Sequence, residues 1–211
     1  YNLAYLDSPY LLEKTKNGKH ALVISQDPDS KSSIIIKRSE NMDGIEFSYH
    51  FWILIDDYSY KKGEWKHVFH KGNSSSYPSR APGVVLHPDT NSMRIYMNTL
   101  DRILEYVDVD NIPLKKWVHV AIVQKNKDLD VYINGFLKVR KQLSSIPKQN
   151  DYDLWINMFG GFEGYLSKLR YHNYAISFTE IDSAIKNGPS SSACIDSGEQ
   201  PPYLDNSWWF D

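Results

Sequence analysis

Short apolar runs closed by turn residues recur through most of this chain, and that punctuation constrains the fold more than any other feature. The runs are "HALVIS" (20–25), "SSIIIK" (32–37), "IEFSYHFWILI" (45–55), "WKHVFHK" (65–71), "GVVLH" (83–87), "SMRIYMN" (92–98), "ILEYVDV" (103–109), "WVHVAIVQ" (117–124), "LDVYIN" (129–134), "FLKVRKQL" (136–143), "DLWINM" (153–158) and "EGYLSKLRYHN" (163–173). β-Branched and aromatic residues fill them, and Gly, Pro, Asn, Asp and Ser cluster between them. Regular strands at this spacing predict an all-β sandwich or barrel. Asn134-Gly135 separates two of the runs. Both residue types tolerate positive φ, so this is a two-residue hairpin turn.

Within 45–55 the residues Ile45, Phe47, Tyr49, Phe51, Ile53 and Ile55 share one face, which is expected to form core. The opposite face, Glu46, Ser48, His50, Trp52 and Leu54, turns apolar towards its end, so it is expected to be partly covered. One segment has helical signals, "SFTEIDSAIKN" (177–187). Ser177 or Thr179 can cap it, Glu180 sits in the first turn, Ile181 and Ile185 are four apart, and Gly188-Pro189 stops it. The expected organisation is a sandwich over 1–188 and an extended tail over 189–211, packed on the sandwich or on a partner. The tail is rich in Ser, Pro and Gly yet ends in Trp208, Trp209 and Phe210. Such rings seek cover, in the chain's own sandwich or in a partner.

Net charge is -2, from 24 basic and 26 acidic side chains, which offers no electrostatic case for nucleic acid. No apolar stretch approaches the length of a transmembrane helix. The single cysteine, Cys194, precludes an intrachain disulfide and leans towards folding in a reducing compartment.

Three stretches then resemble one family in the right order. "IEFSYHFWILI" is similar to the Phe-x-x-x-Phe-Trp strand of laminin-G-like domains. "KKWVHVAIVQKNKDLDVYINGFLKV" resembles their Trp-x-His strand and Asn-Gly hairpin. "FGGFEGYLSKLRYHNYAISFTEI" resembles their Phe-x-Gly strand with the short helix that follows. The match spans roughly 45–187. The chain is thus identified as a member of the concanavalin A-like lectin/glucanase superfamily, laminin-G-like branch, which implies an antiparallel jelly roll of two sheets. The tail "PPYLDNSWWF" resembles such domains encoded by large DNA viruses, which implies a virion or cell-surface component.

Enzymes of that superfamily carry a Glu-x-Asp-x-x-Glu strand, because carboxylates two apart share a face and retaining hydrolysis needs them close together. The nearest string, "EIDSAI" from Glu180, lacks the last Glu and falls in the expected helix. In "ILEYVDVD", Asp108 and Asp110 share a face and Glu105 lies on the other. The expectation is therefore a non-catalytic module that recognises a glycan or a protein. The alternatives are a glycoside hydrolase with atypical carboxylates and a purely architectural subunit. The loop 56–83 carries Tyr58, Tyr60, Trp65, Tyr77 and Arg80, amphipathic side chains suited to sugar faces and protein interfaces. Calcium is the candidate cofactor, since many laminin-G-like domains bind it at the sandwich rim. Asp56, Asp57, Asp89 and Asn91 supply hard oxygens at loop positions. Among the histidines, His67 and His70 are three apart on one strand and are expected on opposite faces. His50, His119 and His172 lie on separate strands and read as isolated face residues.

Overall fold

A computed structural model describes residues 7–39, 42 and 44–198. Its strands are β1 (Tyr10–Asn17), β2 (Leu22–Ile24), β3 (Glu46–Asp57), β4 (Lys66–Gly72), β5 (Arg80–Leu86) and β6 (Met93–Tyr96). They continue with β7 (Tyr106–Val109), β8 (Trp117–Lys125), β9 (Asp128–Ile133), β10 (Phe136–Gln142), β11 (Leu154–Ile156) and β12 (Glu163–His172), and the helix α1 is Phe178–Asn187. Two six-stranded sheets result, ordered β1-β12-β3-β8-β9-β10 (sheet A) and β2-β11-β4-β5-β6-β7 (sheet B). Every pairing is antiparallel. The fold is an all-β, two-sheet antiparallel jelly-roll sandwich with one short C-terminal helix.

The core lies between the sheets. Phe47, Tyr49, Phe51, Ile53 and Ile55 from β3 meet Phe69, Leu86, Met93 and Ile95 from sheet B. Burying a side chain of this size contributes about 1.5–3 kcal/mol. The other face of β3 is covered too: Trp52 and Leu54 pack with Trp117, and Ile185 of α1 lies against them. The Asn-Gly turn forms as its residues demand, with φ of 49° at Asn134 and 84° at Gly135.

Helix α1 closes over the outer face of sheet A, burying Ile181 against Ala121, Val123 and Ile176. Ser177 is its N-cap, with a full capping box: Glu180 N–H donates to Ser177 Oγ, and Ser177 N–H donates to Glu180 Oε2. Gly188 follows the last turn. Beyond it the chain runs along β1. Ile195 N–H donates to the Thr15 carbonyl, Lys16 Nζ meets Asp196 at 2.7 Å, and Cys194 is buried. Trp208, Trp209 and Phe210 lie outside the described residues.

Two segments differ from expectation. Residues 32–37 form no strand. The Gln26 side chain takes the place of a strand neighbour: its amide donates to the Ile34 carbonyl and its oxygen accepts from Ile36 N–H, both at 2.8 Å. Strand β1 is unanticipated. It is an edge strand whose register shifts twice, so its buried positions do not alternate.

Candidate functional site

The loop aromatics are divided by the fold. Tyr58 packs against the core and donates its hydroxyl to the Ser92 carbonyl, and Tyr60, partly buried, donates to the Gly160 carbonyl. Trp65 stays on the outer face of sheet B, and Tyr77 projects from a turn with 56% of its surface exposed. Arg80 lays its guanidinium on the Tyr96 ring, 3.4 Å from the centroid.

Around Trp65 the outer face of sheet B carries a ladder. The Arg94 guanidinium sits 4.8 Å from the Trp65 centroid and 3.7 Å from that of Tyr106. Asp108 holds Arg94 from across the strand pair with two hydrogen bonds of 2.7 and 2.8 Å. These bonds raise the pKa of Arg94 further above its already high value. The cation is fixed between two rings, Trp65 39% and Tyr106 38% exposed, on a face that no helix covers among the described residues. Sequence reasoning overlooked Arg94, Tyr96 and Tyr106. Strand period could have found them, since Arg94 and Tyr96 alternate with core Met93 and Ile95, and Tyr106 with Val107.

His67 and His70 do not point to opposite faces. The register of β4 against β5 shifts between His67 and Phe69, so the two rings meet at 2.7 Å from Nε2 to Nδ1. Met158 N–H donates to His67 Nδ1, and His70 Nε2 reaches the Asn73 carbonyl. That chain is satisfied only when both rings are neutral with the proton on Nε2. Burial accordingly lowers their pKa values, to about 3 and about 4.

The three histidines of sheet A are not isolated either. They occupy β3, β8 and β12, which are neighbours in the sheet, and they converge on its outer face. His50 stacks on His172 at 5.2 Å, and His119 Nε2 approaches His50 Nδ1 at 3.3 Å. Burial lowers His50 to about 2, His119 to about 4 and His172 to about 4. All three are neutral near pH 7. Tyr174 donates its hydroxyl proton to Glu180 Oε1 at 2.7 Å. Its oxygen therefore accepts from His172 Nδ1–H at 3.3 Å.

The carboxylates weighed for hydrolysis are engaged. Glu105 is buried and accepts from Ser144 N–H, Ser144 Oγ and Thr99 Oγ1. Asp108 holds Arg94, and Asp110 accepts from Ser92 Oγ. Of the rim oxygens, Asp57 accepts from the Ser59 N–H and hydroxyl, the Asp89 N–H donates to His87 Nδ1, and the Asn91 amide donates to the Ile112 carbonyl. Asp56 is exposed at the end of β3. Among the described residues no three His, Cys, Asp or Glu side chains are grouped to hold a metal ion, and no helix is long and apolar enough to cross a membrane.

Comparison with known proteins gives a consistent answer on the fold. None of the curated proteins matches the chain. Solved structures do, among them several at 13–15% identity. The receptor-binding domain of botulinum neurotoxin D matches at a TM-score of 0.59 and 13% identity, over 91% of this chain and 56% of that one. The binding domain of the C/D mosaic serotype matches at 0.55 and 14%, over 74% of this chain and 40% of that one. The type G domain matches at 0.54 and 14%, over 85% and 47%. This chain thus spans about half the length of the structures it matches, and at such identities the likeness speaks for the fold alone. A laminin-G-type family model matches residues 28–182, well over half of the chain. The chain belongs to the concanavalin A-like lectin/glucanases superfamily.

Proposed function

We propose that this protein is a non-catalytic recognition module that binds a glycan through the outer face of sheet B. One observation carries the reading: Trp65 and Tyr106, each partly exposed, are held on either side of Arg94 on a sheet face that no helix covers among the described residues. Rings preorganised in this way offer apolar faces to a sugar at little entropic cost, and the ladder's charged groups supply polar contacts beside them. The solved structures it resembles are titled as receptor-binding domains, which agrees with recognition rather than turnover. The engaged state of Glu105, Asp108 and Asp110 argues in the same direction.

A protein partner is favoured by a different patch. Tyr77, Leu100, Ile103 and Leu104 are all about half exposed or more. Leu100 and Ile103 line a cavity of about 340 Å³ with Pro78, the residue after Tyr77. Exposed apolar residues grouped in this way mark interaction sites.

A glycan array probed with and without calcium tests the first reading. Binding that Trp65→Ala or Tyr106→Ala abolishes supports it. Binding that neither change alters moves the site elsewhere, and dependence on calcium brings Asp56, Asp57, Asp89 and Asn91 into it. The tail, 189–211, which begins packed along β1, is proposed to end on the sandwich or on a partner, as in a virion or surface component. Deleting residues 201–211 separates its two roles. A lower melting temperature means the tail covers the sandwich, whereas unchanged melting with lost association means it docks on a partner.

A further inference from the structure

Between α1 and strands β3 and β12 a cavity of about 230 Å³ opens on the outer face of sheet A, opposite the face considered above. It has room for about eight water molecules at ~30 Å³ each. His50, Trp52, Lys168, Arg170, His172 and Tyr174 line it.

Its charge is unbalanced. Neither Lys168 nor Arg170 makes an ion pair among the described residues. Lys168 Nζ reaches only the Asn187 carbonyl, at 3.3 Å. Arg170 Nε donates to the Ser8 carbonyl, and its guanidinium rests on the Tyr10 ring. The one carboxylate in the lining, Glu180, is engaged by Tyr174 and by the Ser177 N–H and hydroxyl.

The backbone that presents Lys168 is strained. Register shifts between Ser167 and Arg170, and Lys168 is the extra residue of that bulge with φ of 49°. A non-glycine residue in the left-handed region costs about 1 kcal/mol or more, and bulges of this kind re-aim side chains beside functional sites. Glycine would relieve the strain and remove the cation. Beside the two cations, His172 is buried, and its Nε2 has no partner. With the proton on Nδ1 towards Tyr174, Nε2 presents a bare lone pair, which calls for a hydroxyl donor.

We infer that this cavity binds a sugar acid, with its carboxylate between Lys168 and Arg170 and a hydroxyl donating to His172 Nε2. Two cations, neither in an ion pair among the described residues, select the anion, with Glu13 the carboxylate that acts on Lys168 and Glu180 held by its own partners; the histidine lone pair selects a hydroxyl near it, and the volume admits about one sugar ring. The site is independent of the sheet B face.

Calorimetric titration of the full chain with D-glucuronate tests this, with D-glucose as the uncharged control. Glucuronate should bind at least about tenfold more tightly than glucose, and Arg170→Gln should lose about tenfold in affinity. Lys168→Gly separates binding from folding: it should lose glucuronate affinity while its melting temperature holds or rises. The His172 ring resonances should shift on adding glucuronate. A second arm uses a disaccharide ending in glucuronate. Binding of both tells of a glycan terminus, and binding of the free acid alone tells of a small-molecule ligand. No glucuronate binding by the parent protein, equal binding of glucose, or undiminished binding by Lys168→Gly would overturn the assignment.

Discussion

The two outer faces of the sandwich solve the same problem in opposite ways. Sheet A is roofed by α1, and beneath the roof His50, His119 and His172 are packed neutral against Trp52 and one another. Among the described residues no helix roofs sheet B. Its outer face protects itself with a guanidinium clamped between rings and tied to Asp108. A roofed polar cluster is sensitive to protonation, because burial and the neighbouring Arg170 disfavour a new charge there. An open ladder of charge and ring is tolerant of pH and available to a ligand. The difference separates a face whose polar groups are shielded beneath a helix from one whose groups stand at the surface.

The largest expected effect breaks the roofed side. On sheet A, His50, His119 and His172 have folded pKa values lowered by burial from 6.5 to between about 2 and about 4. Below pH 6.5 the unfolded chain takes up protons that the folded chain refuses. Stability is therefore full above 6.5 and falls as pH drops from there towards 4, by up to about 2 kcal/mol per histidine at pH 5. Urea melts at pH 7, 6 and 5 should show the midpoint falling steeply, and His119→Gln should flatten that slope. A midpoint constant over this range would mean that water or movement relieves the cluster.

Next in size, Ile181→Ala should lift the roof. Ile181 is buried between α1 and sheet A, so truncation should cost about 2–4 kcal/mol in thermal or chemical unfolding. A loss below about 1 kcal/mol would show that α1 contributes little cover. On the open face, Trp65→Ala should reduce affinity for an array-identified glycan by about 1–3 kcal/mol with much less effect on melting, as for an aromatic anchor. If melting falls and affinity holds, the ladder is scaffold and the contrast between the faces collapses. The smallest effect is at the cap. Ser177→Ala should cost about 1 kcal/mol. It should also loosen Glu180, whose other oxygen bonds Tyr174, and a shifted Tyr174 resonance would report this.

Much of the scaffold was legible because it obeys local rules. The β3 alternation, the Asn134-Gly135 turn and the Ser177 to Gly188 helix each depend on residues close in sequence. So did the doubled burial of β3, announced by Trp52 and Leu54 on its second face. Strand β1 and segment 32–37 were illegible for the converse reason. Shifted register hides the first, and a glutamine side chain ten residues or fewer away satisfies the backbone of the second.

The functional faces divide in the same manner. Sequence patterning determined an all-β sandwich or barrel with a capped helix, and the resemblance to laminin-G-like domains implied its two sheets. Tertiary structure decided the rest, because strand order is a long-range property. It brought Arg94 and Tyr106 to Trp65 from β6 and β7, and it gathered histidines separated by up to 122 positions, from His50 to His172, into one cluster. It also placed the extra residue of a bulge, Lys168, beside Arg170 at the edge of a cavity. Spacing along a chain encodes which face a residue occupies only while the register holds. Which strands lie side by side, and where the register slips, is settled by packing between the sheets.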